Sequence, residues 1–384
     1  MRVLIAHNAY QHRGGEDSVV DDELRLLRDH GHEVELLSAH NDEIAGMGKV
    51  ALLGRTVWSR PAADALRAKC SSFRPDVLHV HNSFPLLSPA IHWQAQAIGV
   101  PVVQTLHNFR LMCPQAMLLR EGRVCEDCVG RVPWRGVVRA CYRDSVVQSG
   151  VLTGMLVVHR ALGTWQRRVN RFIALNEFCR SKFIQGGLPA ERIRVKPNFV
   201  SREEPADSER QGFLFVGRLS PEKGLEVLAT AAERAGLEVD VVGTGPLAEP
   251  MAGRAGLRLQ GGQPMPEVLA RMEAAQALVL PSIWYENFPR TLVEAFACGL
   301  PVIASRLGGM AELIEDGVTG LLFQPGDAQD LAAKLTWARA NGDALRAMGR
   351  AARARYEALY GPERNVSQLL EIYEEAISEG PLHG

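Results

Sequence analysis

This sequence of 384 residues has almost no net charge, no long apolar run and no stretch that reads as a secretory leader. A formal net charge of −1 gives no general attraction to nucleic acid or to a membrane, so any basic surface must be local. No apolar stretch approaches the roughly 18–20 residues that span a bilayer, which leaves only peripheral contact with a membrane. The start, MRVLIAHN, enters a strand-like run at once, without the apolar core and small-residue cleavage site of a signal peptide. The expected location is cytoplasmic. Cysteine is sparse, seven in all, and four of them crowd into one segment.

The content of 46% hydrophobic and 23% charged residues is ordinary for a globular chain, and the length suffices for two domains. Short apolar runs alternate with longer amphipathic stretches, which predicts βα units and parallel sheets. The first half offers VLIAH, EVELL, VLHVH, VVQTL, RFIAL and IRVKP as strands; the second offers GFLFVG, LEVDVVG, LRLQG, ALVLP, PVIAS and GLLF. Between them SREEPADSER, residues 201–210, is polar and aperiodic and reads as a linker. The expected domains are 1–200, with a cysteine-containing insert at about 108–145, and 211–362, followed by a helical segment at 363–384. Ligands of open α/β sheets bind outside the carboxyl ends of the strands. Two facing sheets would therefore place the active site in a cleft between domains.

The segment Pro281 to Gly299, PSIWYENFPRTLVEAFACG, sets Glu286 ahead of a helix and Glu294 about one turn inside it. Pro289 suits the first helical turn, and Gly299 with Pro301 ends the helix. Free N–H groups near Thr291 and Leu292 would form a positive pole suited to phosphate. A single glutamate here would be read as a cap or as the partner of a nearby Arg. Two carboxylates flanking an anion site instead describe a nucleotide-sugar pocket.

The E-x(7)-E spacing, the GLPVIASRLGGMAELIEDGVTGLLFQPGD that follows, FVGRLSPEKGLEVL, VVGTGP, RIRVKPNFV and the early GGED together resemble the retaining glycosyltransferases of family four. That resemblance implies the GT-B fold, two Rossmann-like doubly wound α/β domains facing across a cleft, with the last helix crossing back onto the first domain. It implies that Arg218 and Lys223 neutralise the donor diphosphate without a metal ion, Arg as a planar fork and Lys as a point charge. Glu294 would grip the ribose hydroxyls and Glu286 the transferred sugar, helped by backbone N–H groups at Asn287 and Phe288. Gly14 and Gly15 would let backbone N–H groups approach phosphate or sugar, and Gly243, in GTG, would shape the nucleotide pocket. His107 matches a histidine near the reacting centre. Transfer would proceed with retention through an oxocarbenium-like state, the leaving phosphate helping to deprotonate the acceptor on the same face. No catalytic cofactor is then required, in contrast to a glycosidase dyad, where one carboxylate is acid and the other nucleophile or base.

His79 and His81 share one face of a strand and could mimic a metal pair, but no nearby carboxylate or third histidine is evident, so local packing is the expectation. Cys113, Cys125, Cys128 and Cys141, with a C-x-x-C at the centre, favour zinc or redox chemistry over disulfides; a structural zinc site and reduced buried thiols without metal are the two readings. The segment 131–171 carries Arg131, Arg135, Arg139, Arg143, Arg160, Arg167, Arg168 and Arg171 against Asp144 alone, interleaved with apolar residues. It is a candidate for contact with the inner face of a membrane or with a lipid-linked or glycan acceptor. The donor is expected to be a UDP- or GDP-sugar, nucleic acid is not an expected partner, and assembly of a polysaccharide or glycoconjugate is the expected role. The competing readings are a nucleotide-sugar epimerase and a non-catalytic sugar-nucleotide scaffold.

Overall fold

The computed structural model describes residues 1–11, 13–204 and 209–382. Four residues of the expected linker, 205–208, lie outside that set. The chain forms two compact units. One comprises Met1–Leu118, Cys125–Pro197 and the chain from Glu363 onward; the other comprises Leu119–Val124 and Asn198–Pro362.

The first unit holds a six-stranded sheet in the order β2-β1-β3-β4-β7-β8. These strands are β1 (Arg2–Ala9), β2 (Glu33–His40), β3 (Val77–Asn82), β4 (Val102–Thr105), β7 (Arg171–Ala174) and β8 (Ile193–Val195). All pairings are parallel, from Val3↔Val34 and Val3↔Val77 at one side to Phe172↔Ile193 at the other. Such strands need helical crossovers and are buried on both faces, which is why each reads as a short continuous apolar run. The order reverses between β1 and β3, so the chain diverges there and leaves a crevice at their carboxyl ends. His107 follows β4, and the GGED segment follows β1.

The second unit repeats the design with β9 (Phe213–Val216), β10 (Val239–Val242), β11 (Leu257–Gly261), β12 (Ala277–Leu280), β13 (Val302–Ser305) and β14 (Gly320–Phe323). Their order is β11-β10-β9-β12-β13-β14, all parallel, with Phe213↔Ala277 across the central pair. This is the dinucleotide-fold order, and its switch point lies between β9 and β12. Alternate residues feed two cores. Leu214, Leu278, Leu280 and Val302 face one side, and Phe213, Phe215, Val279 and Ile303 the other. The antiparallel hairpin β5 (Leu119–Arg120) and β6 (Arg123–Val124) was not expected, and it groups with the second unit although the residues on either side belong to the first.

Candidate active site

In the second unit the two loops leaving the switch point carry the expected donor residues. After β9 come Arg218 and Lys223; after β12 come Ser282 and Glu286. Close backbone approach holds the loops together. Gly224 has φ +73°, and a Cβ there would lie 2.0 Å from the Pro281 carbonyl oxygen. The Ile283 N–H donates to the Glu222 carbonyl at 3.0 Å. Gly243 has φ +147°, and a Cβ would fall 1.9 Å from the Gly217 oxygen. The Leu219 N–H donates to the Thr244 carbonyl at 2.9 Å. Gly243 is thus needed to seat the loop that bears Arg218, a steric reason for a glycine that pocket shape alone does not supply.

Glu286 is 7% exposed. Its Oε1 accepts from Lys223 Nζ at 2.6 Å and from Ser282 Oγ at 2.7 Å. Lys223 Nζ also lies 5.7 Å from the centre of the Trp284 ring. Arg218 is exposed and, among the described residues, has no ion-pair partner. A cation held by a buried carboxylate, with an exposed guanidinium on the same loop, is an arrangement able to receive a diphosphate. Glu294 is buried in the helix Arg290–Ala297 and accepts from Arg290 Nε at 3.1 Å, the local Arg pairing a lone glutamate would make. Asn287 is buried, and Phe288 packs on the core edge with its ring 6.1 Å from Tyr360.

Two details differ from the sequence expectation. Pro289 precedes the helix as its cap rather than opening the first turn. The Leu292 N–H is not free, because it donates to the Pro289 carbonyl at 2.9 Å, so the positive pole is narrower and centres on Arg290 and Thr291.

In the first unit, Gly14 caps the helix Gly15–Asp29, but its N–H donates to Asp17 Oδ2 at 2.7 Å and is not open to phosphate. Asp17 also meets His7 Nε2 at 2.8 Å. Gly15 is exposed with open space around it. Next to it, burial pushes the Glu16 carboxyl up to about 8, with Asp17 adding to the effect and a hydrogen bond from Tyr10 Oη at 2.8 Å opposing it.

His107 is half-buried, and its Nε2 lies 2.9 Å from His81 Nδ1, the rings stacked at 5.1 Å. Together with Asn108, Arg110 and Phe84 the two histidines line a pocket. Burial, then the neighbouring His81, holds His107 well below the ordinary histidine value, so it is neutral at physiological pH. The histidine pair of β3 is not the isolated pair expected from sequence. Glu23, 1% exposed, brings its Oε2 within 3.1 Å of His81 Nε2 and 3.7 Å of His79 Nδ1, completing a cluster with metal-ligand spacing. The cluster already contains a cation: Lys196 Nζ, also 1% exposed, is 2.8 Å from Glu23 Oε1. A divalent ion beside a buried ammonium would meet uncompensated repulsion, and the residues do not fit one. Sequence reasoning missed Glu23 and Lys196. The available signal was Glu23 on the apolar face of its helix, in register with Val19, Val20 and Leu27.

Three of the cysteines gather around the fourth, Cys128, whose thiol is raised to about 11 by burial and by the proximity of Cys113, Cys125 and Cys141. All four are free thiols, and among the described residues no three of their sulfur atoms lie within 4.8 Å of one another. The arginines of 131–171 do not act as one patch. Arg171 pairs with Glu375 and Glu379, Arg168 lies over Trp93, Arg135 and Arg139 meet Asp127, and Arg160 donates to the Arg131 and Leu111 carbonyls.

Against known proteins, the profile for Glycosyl transferases group 1 matches residues 198–355, and that for Glycosyltransferase Family 4 matches residues 13–204. D-inositol 3-phosphate glycosyltransferase of Thermobispora bispora is 30% identical over 332 residues, covering 79% of this chain and 71% of that protein. Among solved structures, sucrose-phosphate synthase from Thermosynechococcus elongatus aligns with a TM-score of 0.74 at 19% identity, covering 98% of this chain and 99% of the other. Anabaena HepE in complex with UDP aligns with a TM-score of 0.67 at 19% identity, covering 97% and 100%. With profiles that divide near residue 200 and two doubly wound sheets, the chain belongs to the group 1, family four glycosyltransferases and has their GT-B fold of two Rossmann-like domains.

Proposed function

We propose that the protein moves a hexose from a UDP- or GDP-sugar, with retention, to a glycan or lipid-linked acceptor during polysaccharide or glycoconjugate assembly. The observation that carries the reading is the Lys223–Glu286–Ser282 cluster at the β9/β12 switch point, with the exposed Arg218 on the same loop as Lys223. On binding, the diphosphate takes up Lys223 and Arg218, and Glu286 is released toward the hydroxyls of the transferred sugar. Glu294 takes the ribose hydroxyls. As the glycosidic bond to phosphate breaks, charge develops on the leaving oxygen, where fixed cations and helix N–H groups stabilise it. That oxygen accepts the proton of the incoming hydroxyl on the same face, so the protein needs no nucleophile. His107 is assigned to the transferred sugar as a neutral hydrogen-bonding group. HepE, of the same fold, is known in complex with UDP, which favours the uridine donor.

A membrane-bound acceptor is favoured by the surface of the first unit. No helix of the described residues is long and apolar enough to cross a membrane. Yet the large apolar side chains they expose, apart from Met265, Val318 and Trp337, all fall between Val50 and Leu162. In the helix Val146–Ala161 the buried face includes Ser149, Thr153 and His159, while Val147, Val157 and Val158 face outward. Exposed Trp134 and Val138 extend the surface, and Arg131 and Arg143 accompany it. An apolar face with basic neighbours suits an anionic lipid interface.

The deciding experiment is a thermal-shift panel of uridine-, guanosine- and adenosine-diphosphate sugars, because a ligand that binds only the folded state raises the midpoint. A shift with one donor fixes the base and narrows the sugar. Silence across the panel favours the scaffold reading, and conversion of the donor without acceptor favours the epimerase.

A further inference from the structure

Strand β3 carries His79, His81 and Asn82 fully inside the first unit, an expensive set of polar groups for the middle of a parallel sheet. Each is paid for by a partner from a different element. His79 Nε2 meets Thr105 Oγ1 at 2.8 Å, and its Nδ1 meets Tyr373 Oη at 2.7 Å. Glu23 comes from the helix Gly15–Asp29 and Lys196 from the turn after β8. Asn365, on the helix Pro362–Glu379, accepts from Lys196 Nζ at 3.0 Å and donates to the Pro197 carbonyl at 2.6 Å. Burial opposes the Glu23 charge, but the adjoining Lys196 ammonium is the main group that favours it, and the carboxyl is held well below the usual range. Glu23 is therefore an anion, able only to accept.

The direction of the hydrogen bonds follows. His81 Nε2 and Glu23 Oε2 are 3.1 Å apart, off the N–H axis, and neither has another hydrogen-bond partner among the described residues. An ionised carboxylate beside a ring nitrogen requires the proton on that nitrogen. If His81 carries a single proton, that proton sits on Nε2, its Nδ1 has a lone pair, and the 2.9 Å contact is then donated by His107 Nε2. A doubly protonated His81 would reverse that bond. It would also add a second buried cation next to Lys196, with Glu23 as the one acid in contact with both. The other titratable groups near the rings are His79 and Tyr373, and His7 paired with Asp17; none supplies another anion in contact with His81.

We propose that Lys196, Glu23 and His81 form a positioning relay that locks His107 in one tautomer, proton on Nε2 and lone pair on Nδ1. The relay is built from three parts of the fold, strand β3, the helix Gly15–Asp29 and the chain just after β8, so His107 is oriented by the core of the unit rather than by its own loop. His107 thereby presents an acceptor to whatever occupies the pocket it lines, and a neutral acceptor is the form that can receive a hydrogen bond from a sugar hydroxyl. The catalytic consequence rests on the assignment of His107 to the transferred sugar; the tautomer does not.

The test is nitrogen-15 NMR of histidine-labelled full-length protein, in which protonated and unprotonated ring nitrogens resonate far apart. Wild type is expected to show His107 with Nε2 protonated, identified by loss of its signals in His107→Ala. The double variant Glu23→Leu with Lys196→Met removes both charges together, so no ion is orphaned. His81→Leu keeps that ion pair and cuts the link to His107. Both variants are expected to release His107 into a mixture of tautomers and to lower kcat about 100-fold at unchanged donor KM. Wild-type His107 protonated on Nδ1, or a single unchanged tautomer in His81→Leu, overturns the proposal. If the double variant does not fold, His81→Leu decides. The NMR readout needs no substrate, so its failure is separate from a failure of the donor panel.

Discussion

Replacing Lys223 by Met tests whether the Lys223–Glu286 pair is a donor device or a structural one. Met keeps most of the stem that lies by Trp284 and removes only the charge. In the free protein the change leaves Glu286 buried with one partner, Ser282 Oγ at 2.7 Å. Breaking a fully buried pair costs about 3–5 kcal/mol. Here Lys223 is 25% exposed at its side chain, so part of that interaction is already shared with water. The expected loss of stability is about 1–2 kcal/mol. For the nucleotide, Lys223 is one of two cations at the switch point. Losing one charge-assisted hydrogen bond costs about 1.5–3 kcal/mol, which is roughly a 10- to 150-fold weaker Kd. Urea unfolding measures the first quantity and calorimetric titration with UDP or GDP, whichever the donor panel selects, measures the second. A Kd within about twofold of wild type, with the stability loss intact, would refute the donor role and leave a purely structural ion pair.

Three further outcomes are expected. Gly243→Ala places a methyl 1.9 Å from the Gly217 oxygen, so the Arg218 loop must move; stability should fall by about 1–3 kcal/mol and nucleotide affinity with it, whereas unchanged calorimetry would show that the loop is not part of the site. The Glu16 carboxyl binds its proton more tightly folded than unfolded. Its contribution is full below the unfolded value of about 4.3 and is lost as pH rises toward about 8, by at most ~1.4 kcal/mol per pH unit. Glu16→Gln should flatten that part of the stability profile, and an unaltered slope in pH-dependent urea melts would count against it. The four thiols of Cys113, Cys125, Cys128 and Cys141 are expected to close on one structural zinc, giving about one zinc per chain under reducing, chelator-free conditions. Elemental analysis without metal would leave them as reduced cysteines, Cys113 and Cys128 buried and Cys125 and Cys141 partly exposed.

The strands were legible because a parallel sheet covered on both faces requires short continuous apolar runs, and each run from VLIAH to GLLF lies in one of the two sheets. The expected donor positions are local for a related reason: Arg218 and Lys223, and Glu286 and Glu294, lie in segments whose spacing along the chain survives folding. What sequence could not supply is anything that depends on contact between distant segments. His79 and His81 looked like a lone pair because their carboxylate, Glu23, and its cation, Lys196, arrive from other elements. The GGED glycines suggested open N–H groups, whereas the motif's own Asp17 takes up the N–H of Gly14. The arginines of 131–171 looked like a basic face because Glu375 and Glu379, which claim Arg171, lie far along the chain. Spacing reports which groups are present, but their charge state and direction are set by partners that only the fold selects. That is why the loops proposed to hold the donor could be picked out by motif, while the groups proposed to orient His107 emerge only from the packing of the whole first unit.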